Sequence, residues 1–451
     1  MIAASRIGGR ITLVVIALLV AFALILAAQG SGVTDIKALP RPENFWPKTG
    51  SSSSTPSKTA PEESTPEPGT TSLKDISFDL KTPPVAGCEA LVNDLQQRLI
   101  IAYQERLKGI RYANIWGYLE TENKGDAAIW SAQQILLSML GIETMEACRY
   151  LHKGCDVPKF TAALEAHRPH SGIIMAGGGN FNDYYWDDQP SRMKMISEFT
   201  NTSIRAFPQS ISMNKPDRIK ETYEAFTKHK DLQLAARDKP SHDWLTGQFD
   251  DVEGIQTDLV PDIAFMWGNR SDFRHNTKKT HDVLILARHD AEISAGDSAD
   301  IEFGEGMLDV GGSIGNVTYL KVDWKFTETP HIDGPKKDAS DEEKAKEPPR
   351  ENGKDQRAWA KAMAGFEMLG SARFVITDRL HGHILSTVIG VPHVLMDSKL
   401  GKNLNFHNTW TRDCACTRIT ENIHDALDVV RLYFEQERRL SEKGDEAFDR
   451  S

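Results

Sequence analysis

Short apolar runs alternate with amphipathic stretches from about residue 85 to the end of the chain. The runs predict strands over residues 172–176, 203–207, 232–235, 282–287, 318–322, 373–377 and 393–396. Apolar positions at helical spacing predict helices over residues 127–140, 357–369 and 421–440. Strands that alternate with helices indicate βαβ units and largely parallel sheets. We therefore predict an α/β fold of two Rossmann-like domains that face each other across a cleft, at residues 85–273 and 274–451.

The length and charge of the chain narrow the class of protein. At 451 residues the chain exceeds what one hydrophobic core usually organises, which favours two domains. The formal net charge is -11, and the sequence contains no long basic run. Proteins that bind phosphate backbones depend on clustered lysine and arginine. Nucleic acid is therefore not an expected partner.

An apolar segment near the N-terminus has the length of a membrane span. Residues 11–28 are 18 uncharged residues, Arg6 and Arg10 precede them, and Asp35 is the first charge after them. A span needs about 17 to 25 apolar residues, and the positive-inside rule places the arginine end in the cytoplasm. We predict a single-pass type II anchor with a cytoplasmic tail at residues 1–10 and lumenal catalytic domains. The alternative is a cleaved signal peptide, whose apolar region is usually about 7 to 15 residues.

The segment after the predicted anchor has the composition of a linker. Residues 29–84 are rich in Ser, Thr, Pro and Glu, and they bury too little apolar area to offset the entropy of ordering. We predict a disordered stem. Three Asn-x-Ser/Thr sequons, at Asn201, Asn269 and Asn316, are glycosylation acceptors in a lumenal chain.

The five cysteines are an odd number, so at least one stays free or pairs between molecules in an oxidising compartment. Cys148 and Cys155 are candidates for a local pair. Cys414 and Cys416 are too close in sequence for half of a structural zinc site, which needs two to four residues between ligands. We predict no metal site.

The second half contains a highly charged tract at residues 328–356. A structureless segment of this length within a domain is either a functional lid or an excursion into solvent. Its mixed charge and lack of aromatic residues favour the excursion.

Candidate chemistry is concentrated where an apolar strand ends at residue 377. Asp378, Arg379 and His381 follow the strand, and Ile384 and Val388 then show helical spacing. Ligands of open parallel sheets bind beyond the carboxyl ends of strands, and the positive end of a helix attracts anions. Residues 379 and 381 lie about 200° apart on a helix, so both reach a ligand only over its N-terminal end. The pattern predicts a site for a small, doubly charged acid, although a surface ion pair and a capping histidine would give the same residues.

Further candidates occupy similar positions in both halves. Arg288 follows the apolar run at 283–287, and two guanidinium groups suit a ligand with a carboxylate and a phosphate. Residues 177–179 are three glycines after another strand, but they lack the G-x-G-x-x-G spacing of a dinucleotide site. Asp126 is placed to cap the helix that follows it, and Tyr184, Tyr185 and Trp186 are equally suited to a sugar platform and to core packing.

Together these residues resemble the polysaccharide pyruvyl transferase family. The resemblance covers most of residues 123–410 and is most specific at residues 377–383. The other matching segments are residues 123–129, 177–181, 208–211, 237–238, 260–262, 288–290, 390–392 and 401–402. It implies two Rossmann-like domains arranged as in B-type glycosyltransferases. The anchor lies outside the resemblance and is similar to that of a eukaryotic Golgi membrane enzyme.

The resemblance implies a ketal-forming transferase with phosphoenolpyruvate as the donor substrate and without a separate cofactor. The acceptor is a terminal hexose of a glycan, with galactose as the expected sugar. Three residues are assigned as catalytic: His381, Arg379 and Asp126. The donor site consists of Arg288, Arg379, Leu380 and His381. The acceptor side, on the facing domain, consists of Gly178, Gly179, Asn180, Asp183 and Gln209.

Two other functions remain open on the sequence. A nucleotide-sugar glycosyltransferase shares the anchor, the stem and the two-domain plan, and the lack of an Asp-x-Asp triplet disfavours only its metal-dependent kind. A non-catalytic glycan-binding protein is disfavoured because Arg288, Arg379 and His381 are all present.

Overall fold

The computed structural model describes residues 79–149, 155–289, 301–327 and 353–448. The helices are α1 (Glu89–Arg106), α2 (Lys124–Met139), α3 (Val157–Ala166), α4 (Gln189–Glu198), α5 (Pro216–Phe226), α6 (Lys239–Phe249), α7 (Ser271–Asn276), α8 (Gly353–Gly370), α9 (Leu380–Ile389), α10 (Lys402–Phe406) and α11 (Ile423–Phe448). The strands are β1 (Tyr112–Trp116), β2 (Glu143–Cys148), β3 (Ser171–Met175), β4 (Gly178–Asn182), β5 (Ile204–Ala206), β6 (Gln209–Ser212), β7 (Leu232–Ala236), β8 (Ile255–Leu259), β9 (His281–Leu286), β10 (Gly304–Asp309), β11 (Asn316–Val322), β12 (Ala372–Thr377), β13 (His393–Met396) and β14 (Thr417–Thr420).

The first sheet has eight parallel strands. Its main path runs β2-β1-β3-β5-β7, and β7 then pairs with both β8 and β6, with β4 beyond β6. The second sheet has six strands in the order β10-β11-β9-β12-β13-β14, and only the β10–β11 pair is antiparallel. Without its antiparallel edge strand, the second sheet repeats the order of the first.

This common order refines the predicted fold. The α/β class and the two sheets agree with the prediction. Both sheets, however, follow the doubly wound order 2-1-3-4-5 and not the order 3-2-1-4-5-6 of dinucleotide-binding domains. The order in which strands are added to the sheet reverses between β1 and β3 in the first sheet and between β9 and β12 in the second. Ligands of such sheets bind at these switch points, beyond the carboxyl ends of the strands.

A continuous apolar core joins the two sheets. It combines residues of α1 and α2 with residues of α8 and α9, and it includes Leu284 and Val375 from the second sheet. Helices α2 and α8 pack against each other, and the Trp267 indole donates to the Ala128 carbonyl oxygen at 3.1 Å. Two further clusters fill the outer faces of the first and second sheets. The two halves are therefore packed together beside the cleft.

The apolar runs located seven of the strands to within two residues at each end. Three predicted helices correspond to α2, α8 and α11, with α11 extending to residue 448. The predicted glycine loop is different: residues 178–182 form β4, which pairs with β6. The predicted domain boundary at residues 273/274 falls inside α7.

The structure describes only parts of the predicted stem and of the charged tract. Residues 79–84, within the predicted stem, contact the second sheet: the Arg418 guanidinium donates to the Thr82 carbonyl oxygen at 2.7 Å. The predicted tail, anchor and residues 29–78 lie outside the described residues, as do residues 328–352 of the charged tract. Residues 353–356, predicted to belong to that tract, are the first turn of α8. Of the helices that the structure describes, none has both the length and the apolar character for a membrane span.

Candidate active site

A cleft of about 310 Å³ opens where the switch points of both sheets meet. The first sheet contributes residues 117–119 and Thr121 after β1, and residues 176–180 after β3. The second sheet contributes Arg288 after β9 and residues 379–381 after β12. Two strand ends that are distant in sequence therefore form one site, as the sequence pattern predicted.

The second domain supplies a cationic wall. Its lining residues include Arg288, Lys325, Arg379, His381 and Lys402. Arg379 is the N-cap residue of α9, so it lies at the end of the helix where backbone N–H groups have no partner within the helix. The wall has the charge and the helix polarity that an anion requires.

Arg379 is held in place by a buried carboxylate. Its Nη2 donates to Asp323 Oδ2 at 2.5 Å, and the Arg379 residue is only 3% exposed. Asp323 also accepts the backbone N–H groups of His289 and Lys325, each at 3.0 Å. Asp323 thus fixes the guanidinium and the two loops beside it.

Asp378 and Gly382 hold the strand ends together. The Asp378 carboxylate accepts the backbone N–H of Arg288 at 2.9 Å, which ties the loop after β9 to the loop after β12. Gly382 lies against the Thr377 side chain, where a Cβ would collide with the hydroxyl. These residues of the motif at 377–383 position Arg288 and α9.

His381 lies between the two domains. Its ring lines the cleft, and its Nε2 is 3.5 Å from Oδ2 of Asp262 in the first domain. Asp262 also accepts from Arg237 Nη1 at 2.7 Å and from the Ala264 backbone N–H at 2.8 Å. Burial alone would raise the pKa of Asp262, but His381 and Arg237 outweigh it and hold the pKa below its ordinary value. Asp262 is therefore a carboxylate that lies between the Arg237 guanidinium and the His381 ring.

Arg237 explains one of the three glycines. It follows β7, lines the cleft and is 1% exposed, and its Nε donates to Ser210 Oγ at 2.9 Å. A Cβ on Gly179 would lie 2.8 Å from Arg237 Nη2, so only glycine lets the guanidinium reach this position. Gly178 has φ +136°, a conformation that glycine adopts at little cost.

The first domain supplies a more polar and aromatic wall. Asn123, Asp126, Trp130 and Tyr185 line it. The N-cap of α2 is Asn123, whose side chain accepts from the Gly125 backbone N–H at 3.0 Å. Asp126 is therefore in the first turn of α2 and not its cap, and its Oδ2 accepts from the Thr121 hydroxyl at 2.7 Å.

Asp188 is a second carboxyl group on this wall. Its Oδ2 accepts from the Asn180 amide at 3.0 Å, and Asn180 Oδ1 accepts from Arg192 Nη2 at 3.2 Å. Burial raises the pKa of Asp188 above its ordinary value, although Asn180 and Arg192 oppose the shift. A carboxyl group with a raised pKa in a cleft is a candidate for proton transfer.

The structure brings together most of the residues singled out in the sequence. Lining the cleft are Asp126, Gly178, Gly179, Asn180, Arg288, Arg379, Leu380 and His381. Asp183 instead accepts the backbone N–H groups of Asn214 and Lys215, at 2.6 and 3.0 Å, just before α5. Gln209 is buried and donates to the Ala176 carbonyl oxygen at 2.6 Å, so it supports the glycine segment from behind.

Sequence reasoning did not assign Arg237, Asp262, Asp188 and Lys402 to the site. Arg237 directly follows β7, and Asp262 lies three residues beyond the end of β8. The rule that located Arg288 and Arg379 would therefore have selected both of them. Asp188 follows no strand and reaches the cleft through its contact with Asn180.

Other predicted sites lie outside the cleft. The sequon residues Asn201, Asn269 and Asn316 are all exposed. Cys148 and Cys155 form the predicted disulfide, and Cys88 forms a second one with Cys414. Buried Cys416 lies beside this disulfide, so three cysteine sulfur atoms meet at one point. The spacing of Cys414 and Cys416 alone gave no sign of this cluster, because Cys88 is 326 residues from Cys414.

Fold and site together define a two-domain α/β protein with a cleft between its sheets that is lined by cationic side chains. The sequence profile of the polysaccharide pyruvyl transferase family matches residues 123–399. Pyruvyl transferase 1 of the fission yeast Schizosaccharomyces pombe is 31% identical over 358 residues, which are 76% of this chain and 82% of that protein. The chain belongs to the polysaccharide pyruvyl transferase family.

Two Bacillus subtilis proteins are more distant relatives. EpsO, which has a provisional pyruvyl transferase name, is 26% identical over 56% of this chain and 74% of its own length. General stress protein 30 is 24% identical over 58% of this chain and 66% of its own length. The protein is thus an enzyme that transfers pyruvyl groups to polysaccharides, and the nucleotide-sugar transferase and glycan-binding alternatives are set aside.

Proposed function

We propose that the enzyme transfers the enolpyruvyl group of phosphoenolpyruvate to two hydroxyl groups of a terminal hexose. The products are a cyclic pyruvate ketal and inorganic phosphate. The observation that carries this proposal is the distribution of charged side chains in the cleft. The second domain contributes Arg288, Arg379 and His381, whereas the first contributes Asp126 and Asp188, together with Arg237, which is paired with buried Asp262.

The donor suits the cationic wall. Phosphoenolpyruvate has a carboxylate and a phosphate, and each can be bound by a guanidinium with two parallel hydrogen bonds. The N-terminal end of α9 adds backbone donors beside Arg379. No separate cofactor is needed, because every bond change involves the donor and the two acceptor hydroxyls.

The reaction balances without an oxidant or a reductant. A proton is added to the methylene carbon, which becomes a methyl group, and the first hydroxyl oxygen bonds to the adjacent carbon. The bond from that carbon to the phosphate oxygen then breaks, and the second hydroxyl oxygen takes its place. One hydroxyl proton replaces the proton consumed, and the other leaves with phosphate.

Residue roles follow from these steps. Arg288 and Arg379 bind the donor anion and stabilise the departing phosphate, and Leu380 packs beneath them. His381 donates the proton to the methylene carbon. Asp126 and Asp188 accept the hydroxyl protons on the opposite wall.

The acceptor is proposed to be a galactose at the end of a glycan. The support is the family resemblance together with the aromatic rings of Trp130 and Tyr185 on the acceptor wall, where sugar rings can stack. A panel of galactosides, glucosides and mannosides incubated with phosphoenolpyruvate tests both substrates. Phosphate release and a mass increase of one pyruvyl ketal, with the galactoside preferred, are the expected results; phosphate release only with another hexose overturns the acceptor assignment.

A Golgi membrane address is also proposed. Its support is the apolar segment at residues 11–28 and the exposure of all three sequon asparagines. Sensitivity of the purified protein to an N-glycosidase tests the lumenal position of the catalytic domains. An unchanged electrophoretic mobility contradicts it.

A further inference from the structure

We propose that Asp262 and Gly125 are positioning residues that make Nδ1 of His381 the atom that delivers the proton. The inference rests on the proposed function, because it refines how His381 acts on phosphoenolpyruvate. Both positioning residues belong to the first domain, whereas His381 belongs to the second.

One nitrogen of the imidazole is closed off from the cleft. Nε2 of His381 is buried, and its only carboxylate neighbour within 4 Å among the described residues is Asp262, at 3.5 Å. A buried polar atom is costly when it has no partner. A small shift of the ring completes a hydrogen bond from Nε2–H to Asp262. Nδ1 is then the nitrogen that remains for the ligand.

The carboxylate that faces Nε2 is fixed and charged. Asp262 is fully buried, and its Oδ1 accepts the Ala264 backbone N–H at 2.8 Å. Its Oδ2 accepts from Arg237 at 2.7 Å, so the oxygen nearest to His381 has a defined place. A carboxylate in this position favours the tautomer with the proton on Nε2 and stabilises the cationic ring that donates a proton.

Gly125 provides the space on the other side of the ring. A Cβ at this position would lie 2.7 Å from Cβ, 2.9 Å from Cγ and 3.0 Å from Nδ1 of His381. Any other residue therefore displaces the imidazole. Gly125 is the second residue of α2, so the N-terminal end of that helix sits against the ring.

Other charged groups surround this unit. Arg237 lies behind Asp262, and the same cleft is also lined by Asp126, Asp188, Arg288, Lys325, Arg379 and Lys402. Because the imidazole is held by residues of the first domain, its working geometry exists only while the two domains are packed together.

The first experiment compares Asp262→Asn with the wild-type enzyme. We expect a loss in kcat of about 10- to 100-fold, below the roughly 10²- to 10⁴-fold that a general acid itself supplies. We also expect the limb of the kcat pH profile that depends on His381 to move to lower pH, because the cationic ring loses its carboxylate partner. Ser210→Ala is the matched control: it removes the other partner of Arg237, at 2.9 Å, and should leave the pH profile in place.

The second variant pair tests the space around the ring. Gly125→Ala should lower kcat with little change in KM for phosphoenolpyruvate. Gly247→Ala, in α6, is its control because a Cβ there meets nothing within 4 Å, and it should match the wild type. Equal kcat values for Gly125→Ala and Gly247→Ala overturn the role of Gly125.

A readout without turnover separates this inference from the proposed function. Long-range ¹H–¹⁵N spectra of histidine-labelled protein, with His381→Gln to identify the signal, report which nitrogen holds the proton. The wild type should show the proton on Nε2, and Asp262→Asn should change both the tautomer and the titration. A proton on Nδ1, or spectra unchanged by Asp262→Asn, overturns the inference. Absence of phosphate release by a wild type with the expected spectra overturns the proposed donor and leaves the Asp262–His381 coupling intact.

Discussion

At the scale of single residues, the cleft is organised by buried carboxylates. Asp323 holds Arg379, Asp262 holds Arg237, and Asp378 holds the backbone beside Arg288. The Arg379 and Arg237 guanidinium groups are oriented by carboxylates behind them, and Arg288 is held through its backbone. A site oriented in advance loses less side-chain entropy when an anion binds.

Replacing Arg379 by lysine tests whether this fork binds the donor. Arg379→Lys keeps the positive charge but loses the planar pair of donors, and one charge-assisted contact is worth about 1.5 to 3 kcal/mol. Calorimetric titration should show phosphoenolpyruvate affinity lowered by roughly ten- to a hundredfold. Arg373→Lys is a control on β12, because Arg373 pairs with Asp282 at 2.8 Å outside the cleft. Equal affinities of the two variants contradict the donor assignment.

Replacing Asp188 by asparagine tests the acceptor wall. A carboxyl group with a raised pKa is suited to accept a hydroxyl proton, and a general base supplies about 10² to 10⁴ in rate. Asp188→Asn should therefore lower kcat by at least about 10² with little change in donor affinity. Its exposed neighbour gives the control, since Asp187→Asn changes the same charge outside the cleft lining. Single-turnover rates measure both, and equal rates would assign the base to Asp126.

The sequence identified the side chains that line the cleft better than the buried carboxylates that hold them in place. Arg288, Arg379 and His381 were found because each follows an apolar run. Asp323 and Asp262 act through contacts with residues 56 and 119 positions away, taking the differences of the residue numbers. No local pattern records such pairs. Asp183, which was assigned to the acceptor side, resembles a site residue in sequence but holds the start of α5.

At the scale of elements, a cysteine cluster ties the first described residues to the second sheet. Cys88, just before α1, is bonded to Cys414, and Cys416 Sγ lies 2.8 Å from Cys88 Sγ. Burial raises the pKa of Cys416 to about 12, so the thiol is protonated at neutral pH. Cys88 is thus within reach of two partners on the segment before β14.

Removing one partner should therefore leave the cross-link in place. In Cys414→Ser, we expect Cys416 to form the bond with Cys88, because the Cys416 sulfur already lies 2.8 Å from the Cys88 sulfur. Peptide mapping under non-reducing conditions identifies the bond. Cys88→Ser should abolish the link and lower stability by about 2 to 5 kcal/mol. A Cys414→Ser protein in which Cys88 and Cys416 are both unpaired thiols contradicts the prediction.

A buried histidine network lies on the inner side of α9. His383 and His393 are joined at 2.8 Å, and Thr411 links His383 to His407 at 2.8 and 3.0 Å. Burial lowers the pKa of His393 to about 4. Burial, His393 and two nearby arginine side chains lower the pKa of His407 to about 3. Burial also lowers the pKa of His383. All three rings are therefore neutral in the folded protein at neutral pH.

The network makes the fold sensitive to acid. In the unfolded chain His393 binds a proton with its ordinary pKa of 6.5, whereas burial lowers the pKa in the folded protein to about 4. Stability therefore falls as the pH falls from 6.5 to 4. The displacement is worth on the order of 3 kcal/mol for His393. Thermal unfolding between pH 7 and 4 measures how stability depends on pH. His393→Gln should weaken this dependence even if overall stability drops, and exposed His424→Gln should not. If both variants show the same pH dependence, the histidine network is not its cause.

Strands were predicted correctly where both faces of the strand are buried, because such strands appear in the sequence as continuous apolar runs. Strands β3, β9, β12 and β13 are of this kind. It failed for β4, whose glycines suit a turn and whose strand form depends on pairing with β6. It also failed for β10, an exposed antiparallel edge strand with few large apolar residues. In both cases the partner strand, and not the local sequence, decides the conformation.

At the scale of the whole molecule, the cleft depends on how the two sheets are joined. Helix α2 carries the first-domain wall, including Asp126 and Trp130, and packs directly on α8 of the second domain. The Trp130 indole donates to Asp355 at 2.7 Å, and Arg357 and Lys361 form ion pairs with the loop after β1. The first-domain wall is thus attached to the second domain along α8. The two walls of the cleft have a set spacing because one core supports both.

If the core is shared, both halves should unfold in a single transition. Phe366 on α8 is fully buried; it stacks on Phe273 and meets Trp267 edge-to-face, with ring centroids 5.2 Å apart in both pairs. Phe366→Ala removes the contact between halves and should cost about 3 to 5 kcal/mol. Denaturant unfolding followed by tryptophan fluorescence and by circular dichroism should give coincident curves for the wild type and a common shift for the variant. Phe326→Ala, at a side chain that is 71% exposed, is the control and should change stability little. Two separate transitions in the wild type would show that the sheets fold independently, and the cleft would then rest on a weaker contact than the continuous core indicates.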